Sequence, residues 1–144
     1  MGVKLQSGQT VFIDTAPLIY FIEENDRYIE SLTEFFDAVT RLDIMLVTSM
    51  ITYIEILSLP EKQGQAKLAA RYREFLTNSE QLSIYSLTVP VAEAAIRFRA
   101  HEGLRTPDAI QLATALVCGA DFVLTNDRAW RKIHAPRVVI IDEL

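Results

Sequence analysis

The chain has 144 residues and a mass of 16.3 kDa, which is the size of one domain. Half of its residues are hydrophobic, and it has only five glycines and five prolines, which excludes a disordered or low-complexity protein. Its 14 basic and 19 acidic residues give a formal charge of −5, which argues against a broad basic surface. The single cysteine, Cys118, excludes an internal disulfide and fits a cytoplasmic protein.

The predicted secondary structure alternates between strands and helices. Its elements are a strand at 10–13, helices at 17–24 and 32–42, a strand at 44–48, a helix capped by Ser49 and ended by Pro60, a helix at 65–78, a strand at 82–87, a helix from Thr88 to about 102, a helix capped by Thr106 and reaching 119, a strand at 122–124, a short helix opening at 126–127, and a strand at 138–141.

This alternation predicts parallel βαβ units in a three-layer α/β/α sandwich with a central, mainly parallel sheet. We expect residues 10–144 to form one domain and residues 1–9 to be a loose N-terminal segment. The N-terminus does not resemble a signal peptide, and no run of 18 apolar residues occurs, so we expect no membrane segment.

Four acidic residues occupy positions where such a sheet places its ligands, near the carboxyl ends of the strands. Asp14 and Asp127 follow strands, Asp108 lies in the first turn of a helix, and Glu55 interrupts an apolar helix. Each has an ordinary explanation when taken alone, as a turn residue, a helix N-terminal acid or a solvent-facing side chain. Asp121 precedes its strand, so we expect it at the opposite edge of the sheet.

Taken together, the four acids predict a metal site. Converging carboxylates repel one another and need compensating charge, and neither Asp14 nor Glu55 has a basic neighbour in the sequence. Oxygen ligands without nearby Cys or His favour Mg²⁺ or Mn²⁺, as one or two ions. Such ions assist the attack of water on a phosphodiester, and Asp108 is the candidate for orienting that water.

Four segments resemble, in order and spacing, the motifs of the PIN-domain ribonuclease family. They read FIDTAPLIY at 12–20, TYIEIL at 52–57, LRTPDAIQLATA at 104–115 and ADFVLTND at 120–127. The length and single-domain layout resemble the VapC-type toxins of toxin–antitoxin pairs. This resemblance implies a PIN-like α/β/α fold and Mg²⁺-dependent endonucleolytic cleavage of RNA.

The resemblance also implies site residues and partners. Asp14, Glu55, Asp108 and Asp127 would be the metal ligands and catalytic acids, and Thr125, with Thr15 as a second candidate, would assist around the metal or its water. A homodimer and a cognate antitoxin protein are the implied partners, in the cytoplasm.

The basic residues are unevenly distributed along the chain. Residues 1–96 contain 7 basic and 13 acidic groups, whereas residues 97–144 contain 7 basic and 6 acidic groups. Exposed arginines usually form a solvated surface, but arginines that bracket Asp108 and Asp127 are candidates for contacts with phosphate. The candidate substrate-binding residues are Thr15, Arg99, Arg105, Asn126 and Arg128.

Two other protein classes require residues that this chain lacks. A haloacid-dehalogenase-like phosphatase needs a second Asp where this chain has Ala16, and a dinucleotide-binding domain needs a glycine-rich turn after the first strand. Two alternatives stay open: a PIN-like module that binds RNA or protein without cutting, and a DNA-directed nuclease. His101 and His134 offer a metal-free acid–base mechanism, although histidines in such polar contexts are usually surface residues.

Overall fold

A five-stranded sheet forms the middle layer of the protein. The structure is a computed structural model that describes residues 2–144 and does not include a description of Met1. The strands are β1 (Thr10–Ile13), β2 (Met45–Ser49), β3 (Leu82–Tyr85), β4 (Phe122–Thr125) and β5 (Val138–Ile140). They pair in the order β3-β2-β1-β4-β5, and every pairing is parallel. The predicted α/β/α class is confirmed, and the sheet is parallel throughout.

Helices cover both faces of this sheet. They are α1 (Thr15–Ile22), α2 (Ile29–Arg41), α3 (Met50–Lys62), α4 (Ala66–Asn78), α5 (Val89–Glu102) and α6 (Thr106–Val117), with short 3₁₀ helices at Arg128–Lys132 and Ile141–Glu143. None of the helices within residues 2–144 is long and apolar enough to cross a membrane.

Alternate side chains of each central strand enter different cores. Ile13 and Leu124 pack with α1, α2 and α4, whereas Phe12 and Val123 pack with α6 and the buried Trp130. Because both faces are covered, the strands are continuous apolar runs rather than alternating ones, which is why the sequence revealed them.

Several boundaries differ from the prediction: α1 is Thr15–Ile22 rather than 17–24, α2 begins at Ile29 rather than 32, α6 ends at Val117 rather than 119, and β3 ends at Tyr85 rather than 87. Two further differences concern the start and end signals of helices. Pro60 does not end its helix: α3 continues to Lys62, because a proline in the last turn removes a single backbone donor and its buried ring packs inward. Thr106 is not an N-cap but the first residue of α6; Arg105 is the N-cap, with an extended backbone and no capping side-chain bond. Ser49 and Thr88 do cap α3 and α5 as expected.

The segment before β1 contains neither helix nor strand in residues 2–9, yet it is attached to the domain. Val3 is 8% exposed and belongs to the core that contains β1. The Ser7 hydroxyl and the Gly8 N–H both donate to the carbonyl of Leu42, at 3.0 and 3.2 Å. The part expected to be loose is therefore anchored to the end of α2.

The strand order sets the position of the site. The chain builds outward from β1 through β2 to β3, then crosses to the other side of β1 for β4 and β5. Parallel sheets open a crevice at the carboxyl ends of the two strands where the order reverses. Here those strands are β1 and β4, which end at Ile13 and Thr125.

Candidate active site

Asp14 lies at the centre of this crevice, directly after β1, where it is the N-cap of α1. Its Oδ1 accepts hydrogen bonds from the backbone N–H of Thr15 at 2.8 Å and from Gln111 Nε2 at 3.0 Å. Its Oδ2 accepts a bond of 2.7 Å from the hydroxyl of Thr125, at the end of β4. Three donors from three elements therefore fix the Asp14 carboxylate.

Thr125 also holds the last acid of the site. Its side chain is fully buried, and its Oγ1 accepts a bond of 3.0 Å from the backbone N–H of Asp127. Asp127 in turn caps the following 3₁₀ helix, because its Oδ1 accepts from the N–H of Ala129 at 3.0 Å. Asp127 is therefore a helix cap, as its ordinary explanation predicted, and it also lies beside Asp14.

Glu55 projects from α3 and is solvent-exposed, as one of its ordinary explanations predicted. Its Oε1 accepts a hydrogen bond of 3.2 Å from the hydroxyl of Thr15, the first residue of α1. Thr15 Oγ1 also lies 3.1 Å from Thr52 Oγ1, one helical turn before Glu55. Glu55 is therefore linked to the β1–α1 junction.

Sequence reasoning missed three buried polar residues beneath these acids. Gln111 on α6 is 1% exposed, and its Nε2 donates to Asp14 and, at 2.7 Å, to Thr52 Oγ1. Its Oε1 accepts a hydrogen bond from the hydroxyl of Ser49, which had been identified only as a helix cap. The signal was present in the sequence, because a glutamine interrupts an apolar stretch one turn after Asp108.

The electrostatics place the four carboxylates near one another. Burial raises the pKa of Asp14 above its ordinary value of 3.8, and the Asp127 carboxylate adds to this rise against the three hydrogen bonds that lower it. Desolvation and then the charges of Asp14 and Asp108 raise the pKa of Glu55 above 4.5, although the Thr15 bond lowers it.

Asp108 completes this arrangement from the first turn of α6, where it is partly buried. Desolvation raises the pKa of Asp108 above 3.8, and the charges of Asp127 and Asp14 raise it further, while Arg105 lowers it. Five of the six pairings among the four acids thus act on a pKa, which is expected only when carboxylates share one site.

The donor set suits a hard divalent cation. All four candidate ligands are carboxylates, and desolvation together with neighbouring carboxylates raises the pKa of Asp14, Glu55 and Asp108. Within residues 2–144, no three Asp, Glu, His or Cys side chains are already grouped so that they could hold a metal ion. Glu55 and Asp127 are exposed, whereas the Asp14 carboxylate is partly buried and held by three hydrogen bonds.

Thr15, one of the five predicted substrate-binding residues, donates a hydrogen bond to Glu55, and the other four fall into two groups. Arg99 and Arg105 are exposed and line an open cavity of about 540 Å³ between the end of α5 and the start of α6. By contrast, Arg128 forms an ion pair with Asp142, and Asn126 Nδ2 donates to the hydroxyl of Tyr20 at 3.2 Å. Arg99 and Arg105 therefore share one exposed cavity, and the charge of Arg105 acts on Asp108.

Asp121 and the two histidines lie outside the crevice that holds the four acids. Asp121 Oδ2 accepts a bond of 2.8 Å from the N–H of Thr10, at the opposite edge of the sheet. His101 and His134 line a separate cavity of about 280 Å³, whose lining includes none of the four candidate acids.

The fold and the crevice together define a parallel α/β/α domain with a carboxylate site at its switch point. The family model described as PIN domain matches residues 11–136. The chain therefore belongs to the PIN domain family, whose members are nucleases. No curated protein sequence matches the chain.

Solved structures of toxin–antitoxin complexes contain the same fold. VapBC2 from Rickettsia felis bound to a promoter DNA fragment is 16% identical, with a TM-score of 0.75 over 92% of this chain and 98% of that chain. DNA-bound VapBC from Salmonella typhimurium is 22% identical, with a TM-score of 0.75 and the same two coverages of 92% and 98%. A toxin–antitoxin complex from Klebsiella pneumoniae is 23% identical, with a TM-score of 0.66 over 91% and 97%.

Proposed function

We propose that the protein is a metal-dependent endoribonuclease and the toxin component of a toxin–antitoxin pair. The observation that carries this proposal is the convergence of four carboxylates on the switch-point crevice of a PIN domain. A purely structural role would not bring like charges together around a partly buried aspartate, because their repulsion destabilises the fold.

Asp14, Glu55, Asp108 and Asp127 are the residues that would hold Mg²⁺ or Mn²⁺, as one or two ions. Two such ions balance four carboxylates in charge, and oxygen ligands are those that both metals prefer. When bound, the metal supplies activation of water and neutralises the charge of the phosphodiester.

The remaining steps belong to side chains of this protein. Thr125 and Gln111 hold the Asp14 carboxylate in one orientation through bonds of 2.7 and 3.0 Å. Asp108, beside the crevice and raised in pKa, orients the attacking water and accepts its proton. Arg99 and Arg105 contact phosphates of the RNA strand next to the scissile bond. Thr15 holds Glu55 in position.

The toxin role is supported by the fold of the structural neighbours, which match more than 90% of this chain and are toxin–antitoxin complexes by name. Several large apolar side chains stay exposed, among them Ile54, Leu59, Val89 and Ile96 at 57%, 58%, 74% and 58%. Exposed apolar surface of this kind is covered when proteins assemble, which fits a homodimer and an antitoxin partner. A nuclease of cellular RNA would act in the cytoplasm.

Induction in cells tests this function. We expect the wild-type protein to stop growth and to generate new RNA ends, whereas D14N should leave growth and RNA intact. D37N is the matched control, because Asp37 is an exposed aspartate on α2, and it should behave as wild type. Equal arrest with D14N would contradict the proposal. Absence of arrest and of new ends with the wild type would favour a binding module.

A further inference from the structure

Gln111 is a buried amide whose orientation is determined by its neighbours. Its Nε2 must face Asp14, because an ionised carboxylate only accepts hydrogen bonds. The Oε1 then faces Ser49, whose hydroxyl donates to it while accepting from the N–H of Ile51. Both N–H groups of the amide and its carbonyl are therefore used, and a flipped amide would place two acceptors together.

The donor-to-acceptor direction of the hydrogen bonds is also determined between the Gln111 amide and Glu55. Thr15 has a single hydroxyl hydrogen and gives it to Glu55 Oε1, so Thr52 must be the donor in the 3.1 Å contact between the two threonines. Thr52 in turn accepts from Gln111 at 2.7 Å. A series of hydrogen bonds with one donor-to-acceptor direction therefore runs from the Gln111 amide through Thr52 and Thr15 to Glu55.

One side chain thus touches Asp14 directly and Glu55 through two hydroxyls. The elements involved are the end of β1, the start of α1, α3 and α6, which carry three of the four acids. The core members of the network, Ser49, Thr52 and Gln111, are at most 2% exposed, so water does not compete for these bonds. Bonds in such surroundings hold side chains in fixed orientations.

We propose that Gln111 is a positioning residue that holds Asp14 and Glu55 as a preformed pair of cation ligands. This inference rests on the proposed function, because it assigns the role of the pair to cation binding. It goes beyond that function in assigning the geometry of the site to an uncharged residue that is itself not a ligand. Groups that orient metal ligands typically change metal affinity by roughly 10- to 100-fold when they are removed.

Two variants distinguish a loss of ligand positioning from a loss of protein stability. Q111M keeps the length and burial of the side chain without its hydrogen bonds. T114V is the matched control, since Thr114 lies one turn further along α6, is 1% exposed and has a hydroxyl that donates to the carbonyl of Ile110. Mn²⁺ affinity is measured by calorimetry without RNA, together with the thermal midpoint of each variant.

We expect Q111M to lose roughly 10- to 100-fold in Mn²⁺ affinity and to lower kcat with little change in KM for RNA, while T114V keeps both. Wild-type affinity and kcat in a folded Q111M protein would overturn the inference. If Q111M does not fold, T52V serves instead, because it interrupts the series of hydrogen bonds that leads to Glu55 and leaves the Gln111 bond to Asp14. Unchanged Mn²⁺ affinity in T52V would overturn the inference.

A metal-free measurement distinguishes failure of this inference from failure of the proposed function. If the wild type neither binds Mn²⁺ nor cuts RNA, the proposed function fails. The carbon-13 carboxyl resonances of Asp14 and Glu55, recorded at one pH without metal, then decide the role of Gln111. We expect Q111M to shift both resonances, T52V to shift that of Glu55, and T114V to shift neither. Unshifted resonances in Q111M would overturn the positioning role.

Discussion

Thr125 Oγ1 donates a hydrogen bond of 2.7 Å to Asp14 Oδ2, and the same hydroxyl accepts one of 3.0 Å from the N–H of Asp127. One buried hydroxyl at the end of β4 therefore joins the first and the last acid of the site across the β1–β4 crevice. The parallel register, in which Ile13 pairs with Leu124, brings these residues together.

This relationship predicts that T125V and T125S differ strongly. Valine removes both hydrogen bonds at constant shape, whereas serine keeps the hydroxyl. We expect T125V to lower metal affinity and kcat by roughly 10- to 100-fold, with T125S close to wild type. T125V should also lose about 1–3 kcal/mol of unfolding free energy, because buried polar groups are left unpaired. Calorimetry, cleavage rates and denaturant unfolding measure these effects, and equal behaviour of the two variants would contradict this role.

D108N should change stability in opposite directions without and with metal. The pKa of Asp108 is raised in the folded protein, so its charge destabilises the metal-free fold at pH values above that raised pKa. We therefore expect metal-free D108N to melt higher than wild type at neutral pH. The difference should shrink as the pH falls through the raised pKa toward 3.8.

Added Mg²⁺ or Mn²⁺ should reverse the order of the two melting temperatures, because a metal that binds only the folded state stabilises most the protein that binds it more tightly, which here is the wild type. Thermal melts at several pH values, with metal and with EDTA, provide the measurement. A wild type that is more stable than D108N under both conditions would show that Asp108 is not part of a strained carboxylate cluster.

Arg99 should contribute to RNA binding rather than to the chemical step. It is exposed, lines the cavity beside α6 and lies outside the hydrogen-bond network of the acids. We expect R99Q to raise KM at constant kcat and to reduce the salt dependence of RNA affinity by about 0.7 in the log–log slope, the value for one phosphate on a single strand. R41Q, on the exposed surface of α2, is the control. An unchanged slope in R99Q would remove Arg99 from the RNA interface.

The histidines provide a test of the metal-free alternative. His101 and His134 line a cavity that none of the four acids lines. The H101Q/H134Q double variant should cleave RNA at the wild-type rate, because neither imidazole contacts the candidate active site. A general acid–base mechanism would instead predict a loss of roughly 10²–10⁴-fold. A loss of that size in a folded double variant would favour the histidine mechanism.

Much of the fold follows from local sequence signals. The strands were predicted because segments such as 10–13 and 122–124 are apolar runs that a doubly covered sheet requires, and Ser49 and Thr88 marked helix starts correctly. Pro60 was misread because a proline ends a helix only where it removes essential bonds, and the last turn of α3 tolerates it.

The site was predictable only in part, for a physical reason. Acidic residues that follow strands or interrupt apolar helices stand out because burial of charge is rare, so Asp14, Glu55, Asp108 and Asp127 could be proposed together as candidate ligands, although each has an ordinary explanation alone. Gln111 stands out as a polar residue in an apolar stretch of α6, but its role could not be predicted, because that role depends on Asp14 and Thr52, 97 and 59 positions away, which only the folded chain brings together. The ion pair of Arg128 with Asp142 could not be predicted either, because the fold brings these two residues together.

The most direct test of the central claim is the metal requirement and the product chemistry of RNA cleavage by the purified protein. We expect an end-labelled RNA to be cut with Mg²⁺, to stay intact in excess EDTA, and to be cut again when Mg²⁺ is restored, while D14N stays inactive. The attack of water does not use the 2′-hydroxyl, so the products should carry no 2′,3′-cyclic phosphate. Cleavage that persists in EDTA, or products that end in a cyclic phosphate, would contradict a carboxylate-held metal site as the centre of the reaction.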